Sequence, residues 1–346
     1  MPVLKQLPHR RMEAWKWTDV RRAVQESDPG LLQEATPKIS DLEDWDGFKK
    51  PYAGPAGDGC RLSMFHTDGT WRISVNEHTD LKKPLEITYA QPGHSSLEVN
   101  IDDGHSLILI EHYNCSEKGF SNIDIDIDLG EESELTRIII HNDDSDHTRL
   151  QTSRIFAQNG AKLNQYMLSF GGGMSRLETR LYGEGEGIIA HMNGAYLLSG
   201  NRHADLTSFT KLDHPNCLIR QSVKGVVTDK AKGVFQGKFH VERDAQHTDA
   251  EMRHDALMLS DRAEIRSKPE LEIYADDVAC AHGNTIGALD DNALFYMRQR
   301  GIPMAQAKAL LTEAFVASVF DDMEDDAMKA SLMTQISEWL ETSYGV

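Results

Sequence analysis

A long succession of short β-strands is the feature that most constrains how this chain can fold. Starting at Cys60, segments rich in Val, Ile, Leu and Thr recur at a spacing of ~8–12 residues, separated by Gly, Asn and Asp. The most regular is Ser121–Leu129, in which Ile or Leu alternates with Asp, the period expected of a half-buried strand. No helix-like segment alternates with these strands, which disfavours a doubly wound sheet.

The number of strands favours a β-solenoid over a single sandwich. A sandwich of this length would need fewer strands or a domain break, and no Pro- or Ser-rich linker supplies one. In a solenoid each coil contacts only its neighbours, so many short strands can follow one another without a break. An uncovered sheet end invites pairing with another chain, so we expect both ends of the solenoid to be covered.

Helical patterns at the two termini are the predicted covers. We expect a short helix within residues 12–24, in an N-terminal region (1–59) that is otherwise irregular, and the β core over residues 60–287. The remaining region, 288–346, is predicted to be a small helical bundle, with Pro303 at the first position of its second helix. The apolar stripe of this helix comprises Leu310, Leu311, Ala314, Phe315, Val319 and Phe320.

Charge and cysteine content exclude several classes of protein. The formal net charge of −19 argues against a nucleic-acid or anionic-membrane surface, since either partner needs concentrated Lys and Arg. No segment approaches the ~20 apolar residues that span a bilayer. The cysteines are few and never spaced as CxxC, which indicates neither a zinc ribbon nor a disulfide framework; they are Cys60, Cys115, Cys217 and Cys280. We therefore expect a cytoplasmic protein with reduced thiols.

The clearest candidate for chemistry lies where the β pattern gives way to the helical one. Leu271–Ala275 alternates as a strand does, and Cys280 and His282 follow two residues apart, beside Gly283. Positions two apart in a strand face the same side, and thiolate and imidazole suit iron or an iron–sulfur cluster. Two ligands do not complete such a site, so a partner would supply the rest. The alternative is a small buried thiol beside a hydrogen-bonded histidine.

Three other polar groups are candidate sites. The segment HNDDSDH could bind a divalent metal through His141, Asp143, Asp144, Asp146 and His147, but a solvent-exposed turn between strands is the preferred interpretation. His240, His247 and His254 recur every seven residues, an odd spacing that places them on alternate faces of a continuous strand. Asp276 and Asp277 could serve a carbohydrate-active β-helix enzyme, although adjacent strand residues point to opposite faces.

Two long segments resemble a known family. KPELEIYADDVACAHGNTIG, followed by ALFYMRQRGI, closely resembles the C-terminal signature of the SufB/SufD family of iron–sulfur cluster assembly proteins, in its SufD branch. GVFQGKFHVERDAQHTDAEMRHDALMLSDRAEI and the N-terminal EAWKWTDV fit the same family. The resemblance implies a right-handed parallel β-helix flanked by N- and C-terminal helical regions. It also implies a complex with SufB, a paralogous β-helix protein, and with SufC, an ABC-type ATPase that docks on the C-terminal helices.

The resemblance also assigns roles to individual residues. In the family, the histidine of the CxHG segment is associated with cluster assembly at the SufB–SufD interface, and here it is His282, which makes it the candidate metal ligand. Cys280 is its neighbour in the motif, with Ala281 where Ser is usual. His254 is, with His282 and Cys280, a candidate residue of the cluster-assembly interface; it falls near the reactive cysteine of SufB, so a persulfide role is not expected. The ATPase-docking region corresponds to Phe295, Tyr296, Arg298, Arg300 and Gly301.

The predicted function is a non-catalytic scaffold that binds no cofactor stably and meets iron or an iron–sulfur cluster only transiently, at the interface with SufB. Two alternatives stay open. One is the carbohydrate-active enzyme named above, and the other is a homodimer that binds iron without SufB.

Overall fold

The computed structural model describes residues 7–40, 48–52, 70–77, 79 and 83–346. Within them the chain is mainly β and forms a parallel β-solenoid of about eight turns, with helices at the termini. The strands are β1 (Lys38–Ile39), β2 (Phe48–Tyr52), β3 (Thr70–Val75), β4 (Leu85–Tyr89), β5 (Gly93–Ile101), β6 (Ser106–Tyr113), β7 (Gly119–Leu129), β8 (Glu134–His141), β9 (His147–Ala157), β10 (Lys162–Ser169), β11 (Met174–Gly183), β12 (Ile189–Leu198), β13 (His203–Leu212), β14 (Leu218–Val227), β15 (Lys232–Val241), β16 (Asp249–Met258), β17 (Glu264–Ile273) and β18 (Ala279–Gly287).

The strands form two nine-stranded sheets. The even sheet runs β1-β4-β6-β8-β10-β12-β14-β16-β18, and the odd sheet runs β17-β15-β13-β11-β9-β7-β5-β3-β2. Consecutive coils stack in register: Glu134 pairs with Lys162, which pairs with Ile189 on the next coil. Every ladder is parallel except β1–β4 and β2–β3, which are antiparallel. This stacking confirms the solenoid that the strand spacing predicted.

A single hydrophobic cluster lies between the two sheets. Alternate residues of both sheets contribute to it, such as Ile125 and Ile127 from the odd sheet and Leu163 and Ala190 from the even sheet, all almost fully buried. Full burial of one such aliphatic side chain contributes about 1.5–3 kcal/mol. The period-2 pattern of the sequence thus places one face of most of the strands in a common core.

The N-terminal region differs in part from the prediction. The short helix expected within residues 12–24 is the four-residue helix α1 (Val20–Ala23), preceded by a 3-10 turn at Glu13–Trp15. The segment expected to be irregular contains β1 and β2, which pair with β4 and β3. These strands exist because the solenoid offers them an edge, and no local pattern signals such long-range pairing. Cys60, at the predicted start of the core, lies outside the described residues.

The C-terminal helices are α2 (Asp291–Gln299), α3 (Met304–Ala317) and α4 (Asp326–Tyr344), with a 3-10 turn at Ser318–Phe320. Together with part of the even sheet, α3, the 3-10 turn and α4 form a second hydrophobic cluster. The sheet side contributes residues from β6, β8, β10, β12 and β14, and Phe170 directly after β10: Ile110, Ile138, Ile140, Tyr166, Leu168, Phe170, Ala195, Leu197 and Val226. The helices α3 and α4 therefore cover the outer face of this sheet.

The details of α3 correct the sequence interpretation. Pro303 is the N-cap residue and Met304 the first helical residue. Leu310 and Ala314 are exposed, while Ala307, Thr312 and Val316 are buried. Because α3 packs against both β14 and α4, its buried face is set by two neighbours, and small residues fill it. No helix of the described part of the chain is long and apolar enough to cross a membrane.

Candidate functional site

The C-terminal end of the solenoid is open. β18 pairs with β16 on one side, and no strand of the described residues pairs with its other edge, because β18 ends the even sheet as β17 ends the odd sheet. Eight of the nine residues of β18 are exposed; Cys280 alone is half-buried. An edge of this kind presents unpaired backbone N–H and C=O groups. We call this end, formed by β17 and β18, the mouth.

His282 lies in a column that is buried everywhere else. Its register partner is Met252, and the column continues through the even sheet as Gln221, Met192, Gln165, Arg137 and Leu109. All of these are buried. Residues paired across a parallel ladder share a face of the sheet, so His282 belongs to the inner face. It is exposed because no coil follows, and not because it lies on the outer surface.

Cys280 and Asn284 flank His282 on the same face. Successive same-face positions of a strand are about 6.5 Å apart. Cys280 packs against the core cluster, and burial raises the pKa of its thiol, although the backbone at Ala250 opposes this. A raised pKa leaves less thiolate at neutral pH. Of the two residues in the predicted pair, His282 is therefore the accessible ligand and Cys280 the less reactive one.

His254 lies directly inside the mouth and is fully buried. Its Nε2 atom is 2.8 Å from the hydroxyl oxygen of Tyr196, and its Nδ1 atom is 2.7 Å from Oδ1 of Asn284. Its ring stacks on Phe235, with centroids 4.9 Å apart. Burial lowers the pKa of His254, although the hydrogen bond to Asn284 opposes this. A buried histidine that stays neutral is suited to orienting a neighbour.

Sequence reasoning did not identify Tyr196 or Asn284. Asn284 follows His282 by two residues, so the same-face rule could have found it. Tyr196 is 58 residues from His254 along the chain, and only the register of the coils brings the two together.

A second exposed region lies on α2. Phe295 and Tyr296 are 65% and 60% exposed, whereas Leu294 anchors the helix in the protein. Nη2 of Arg300 is 2.7 Å from the Tyr296 hydroxyl oxygen, and its guanidinium lies 5.0 Å from the ring centroid. Gly301 has φ +84, as expected for a residue just past a helix end. Exposed aromatic and arginine side chains are typical anchors of protein interfaces.

The HNDDSDH segment is a turn between β8 and β9, as expected, but it is not exposed throughout. His141, Asp143 and His147 are buried. Arg149 lies 2.6 Å from the Asp143 carboxylate, with both side chains fully buried. Burial alone would raise the pKa of Asp143, but Arg149 and His141 hold it well below its usual range. The expected exposure was wrong for these three residues, because the arginine that compensates the carboxylate lies on β9, beyond the motif. Among the described residues, no three metal-ligating side chains converge here or elsewhere.

The other candidate groups do not converge on one site. His240 lies on β15 of the odd sheet, with Nε2 3.0 Å from the Glu242 carboxylate and Nδ1 3.4 Å from the Glu272 carboxylate. His247 lies 3.0 Å from Asp277, and both are largely exposed. His254 is buried, so the three histidines of the seven-residue repeat lie in different environments.

The fold places the protein in the class of parallel β-solenoids with helices at the termini. The chain matches the family model described as "SUF system FeS cluster assembly, SufBD core domain" over residues 88–315. The match covers more than half of the chain, so the protein belongs to the SufBD family of the SUF iron–sulfur cluster assembly system.

Curated relatives agree with this assignment. The chain is 25% identical to the iron–sulfur cluster assembly protein SufD of Escherichia coli, over 96% of this chain and 89% of that one. It is 27% identical to a SufBD family protein of Synechocystis, over 96% of this chain and 87% of the relative. The SufD protein of Bacillus subtilis is 25% identical over 81% of this chain and 67% of its own length.

Proposed function

We propose that this protein is a non-catalytic scaffold subunit of the SUF system that contributes His282 to an iron–sulfur cluster assembled across an interface with a SufB-type partner. The observation that carries the proposal is the position of His282, at the end of an otherwise buried column and on an exposed edge strand. One imidazole cannot hold an iron ion alone, since iron and iron–sulfur centres take several ligands. This protein therefore supplies only part of the ligand set, and the partner supplies the rest.

The partner attaches at the mouth. Among the described strands, none pairs with the outer edges of β17 and β18, and a paralogous solenoid can add strands to both, which satisfies the backbone groups and covers the exposed end. Docking there also removes water from the space around His282 and brings the partner's ligands next to it. A homodimer uses the same edges, so a second copy of this chain competes for the mouth when the partner is missing.

A SufC-type ATPase docks on α2 and the turn that follows it, through Phe295, Tyr296, Arg298, Arg300 and Gly301. The exposed aromatic rings and the arginines support this proposal, because such residues stand out against the acidic remainder of the surface. ATP hydrolysis would then act on the mouth through the short connection between β18 and α2. We retain the division into 1–59, 60–287 and 288–346, and the cytoplasmic location, as parts of this proposal.

His282→Ala tests the cluster site. We expect the variant to assemble the complex normally and to mature clusters at least tenfold more slowly, measured by the growth of cluster absorbance in the reconstituted complex. His214→Ala is the matched control, since His214 is exposed in the turn between β13 and β14. Normal maturation by His282→Ala in an intact complex would remove the proposed role.

Point substitutions test the ATPase contact better than a deletion. Removing the helices would uncover the apolar outer face of the even sheet, including Tyr166 and Leu168. The double variant Phe295→Ser/Tyr296→Ser keeps that cover, and we expect it to lose ATPase binding in a pull-down while the complex with the SufB-type partner persists. Leu32→Ser, at another exposed apolar residue, is the control. Unchanged ATPase binding would place the contact elsewhere.

A further inference from the structure

Three side chains form a hydrogen-bonded series from the core to the mouth. Tyr196 on β12 contacts His254 on β16, which contacts Asn284 on β18, at 2.8 and 2.7 Å. Tyr196 and His254 are completely buried, whereas Asn284 is exposed. The series thus connects the buried Tyr196 hydroxyl with the side-chain amide of Asn284, two residues from His282.

The buried hydroxyl determines the direction of every hydrogen bond. Among the described residues, the only hydrogen-bond partner of the Tyr196 side chain is Nε2 of His254, and burial raises the pKa of Tyr196, so its proton stays on. An unsatisfied buried O–H is costly; therefore Tyr196 donates to Nε2, and the proton of the neutral imidazole lies on Nδ1. That N–H donates to Oδ1 of Asn284. The amide NH2 of Asn284 then points away from His254.

The space around the series holds it in one arrangement. A Cβ atom on Gly225 would lie 2.2 Å from Cζ of Tyr196, and one on Gly233 would lie 2.4 Å from Cε2 of the same ring. Two glycines, one on β14 of the even sheet and one on β15 of the odd sheet, therefore make room for the tyrosine. Phe235 stacks on His254, and the two rings are 7° from parallel. Neither ring can reorient without displacing backbone or core.

We propose that Tyr196 and His254 are positioning residues that turn the Asn284 amide outward, where it donates a hydrogen bond to an anionic sulfur, sulfide or thiolate, bound beside His282. The inference rests on the proposed cluster site. Among the described residues nothing occupies the outward amide hydrogens, and Asn284 shares a face with His282 about 6.5 Å away. Hydrogen bonds to cluster sulfur raise the reduction potential of the cluster. We therefore expect the Asn284 amide to raise the reduction potential of the cluster that His282 helps to bind.

The first test needs no cluster. In the full-length protein labelled with 15N-histidine, the signal that disappears in His254→Gln should show the Nδ1–H tautomer by its 1H–15N couplings. The Nε2–H tautomer would reverse the direction of every hydrogen bond in the series and overturn the inference, whatever the fate of the proposed function.

The second test measures the potential of the cluster in the reconstituted complex, loaded with ferrous iron and sulfide. Asn284→Leu has the same shape without the donor, and we expect a negative shift; Tyr196→Phe should shift the potential in the same direction by less. Tyr113→Phe is the matched control, because it removes another buried hydroxyl, one that donates to Glu111 away from the mouth, and it should shift nothing. If Asn284→Leu assembles no cluster, Asn284→Gln, which keeps a donor, must restore it.

The outcomes separate the two proposals. No shift in Asn284→Leu, no shift in Tyr196→Phe, or failure of Asn284→Gln to restore a lost cluster overturns the inference. If His282→Gln changes the cluster in any of these cases, the proposed function stands. If His282→Gln also changes nothing, the proposed site at the mouth fails as well.

Discussion

Arg137 and His282 occupy equivalent positions in one inward-facing column of the even sheet, but in opposite settings. Arg137 and its partner Glu111 are both fully buried, with Nε of Arg137 2.5 Å from the carboxylate. Gln165 and Ser153 accept the remaining hydrogen bonds at 3.1 and 2.7 Å. His282 has an exposed side chain at the last coil. In this column a polar residue is structural where coils cover it on both sides, and available for binding where a coil is missing.

Removing one partner of the buried Arg137–Glu111 ion pair should have the largest effect on stability. We expect Arg137→Ala to lower the free energy of unfolding by about 3–5 kcal/mol, because it leaves the Glu111 carboxylate buried without its counter-charge. A urea unfolding curve measures the change. The double variant Arg137→Met/Glu111→Leu removes both charges and should recover most of the loss. A single variant of wild-type stability would mean that water reaches Glu111, and the column would not be closed.

The prediction of the fold from sequence worked where the period of the pattern was enough. Alternation over Ser121–Leu129 identifies a strand and its buried face, and repetition of such strands indicates the solenoid. It failed where the cause lay on another coil. Arg149 explains the burial of Asp143, and β4 explains β1, but neither relation is local. The candidate site shows the same distinction. The sequence motif identifies His282 and Cys280, whereas only the register of the coils identifies Tyr196.

The pH dependence of stability should show the effect of the buried histidine His147. Burial lowers the pKa of His147 to about 4, below the unfolded value of about 6.5, so the unfolded state takes up the proton first. His147 therefore has no effect on the free energy of unfolding above pH ~6.5, and its protonation in the unfolded state lowers that free energy by about 3 kcal/mol as the pH drops to ~4. Unfolding curves across this range measure the slope. His147→Gln should flatten it, and an unchanged slope would show that other groups carry the acid response.

Glycines should distinguish the packed interior from the mouth. Gly225→Ala puts a methyl group against Tyr196, and we expect a loss of about 1–3 kcal/mol from overpacking. Gly283, next to His282, has nothing within 4 Å of its hypothetical Cβ, so Gly283→Ala should change stability by less than about 0.5 kcal/mol. The two variants are compared by urea midpoint. Equal losses would mean that the mouth is packed as tightly as the interior.

His282→Ala should have the smallest effect on stability. No coil packs over the side chain, and its removal leaves neither a cavity nor a buried charge, so the free energy of unfolding should change by less than about 0.5 kcal/mol. The measurement is the same urea curve that records the loss in Arg137→Ala. A loss above 1 kcal/mol would show that His282 supports the last coil, and any defect in cluster maturation would then need a structural explanation. A neutral result, together with slow maturation, assigns the two polar positions of one column to different tasks: Arg137 holds the solenoid together, and His282 serves what binds at its end.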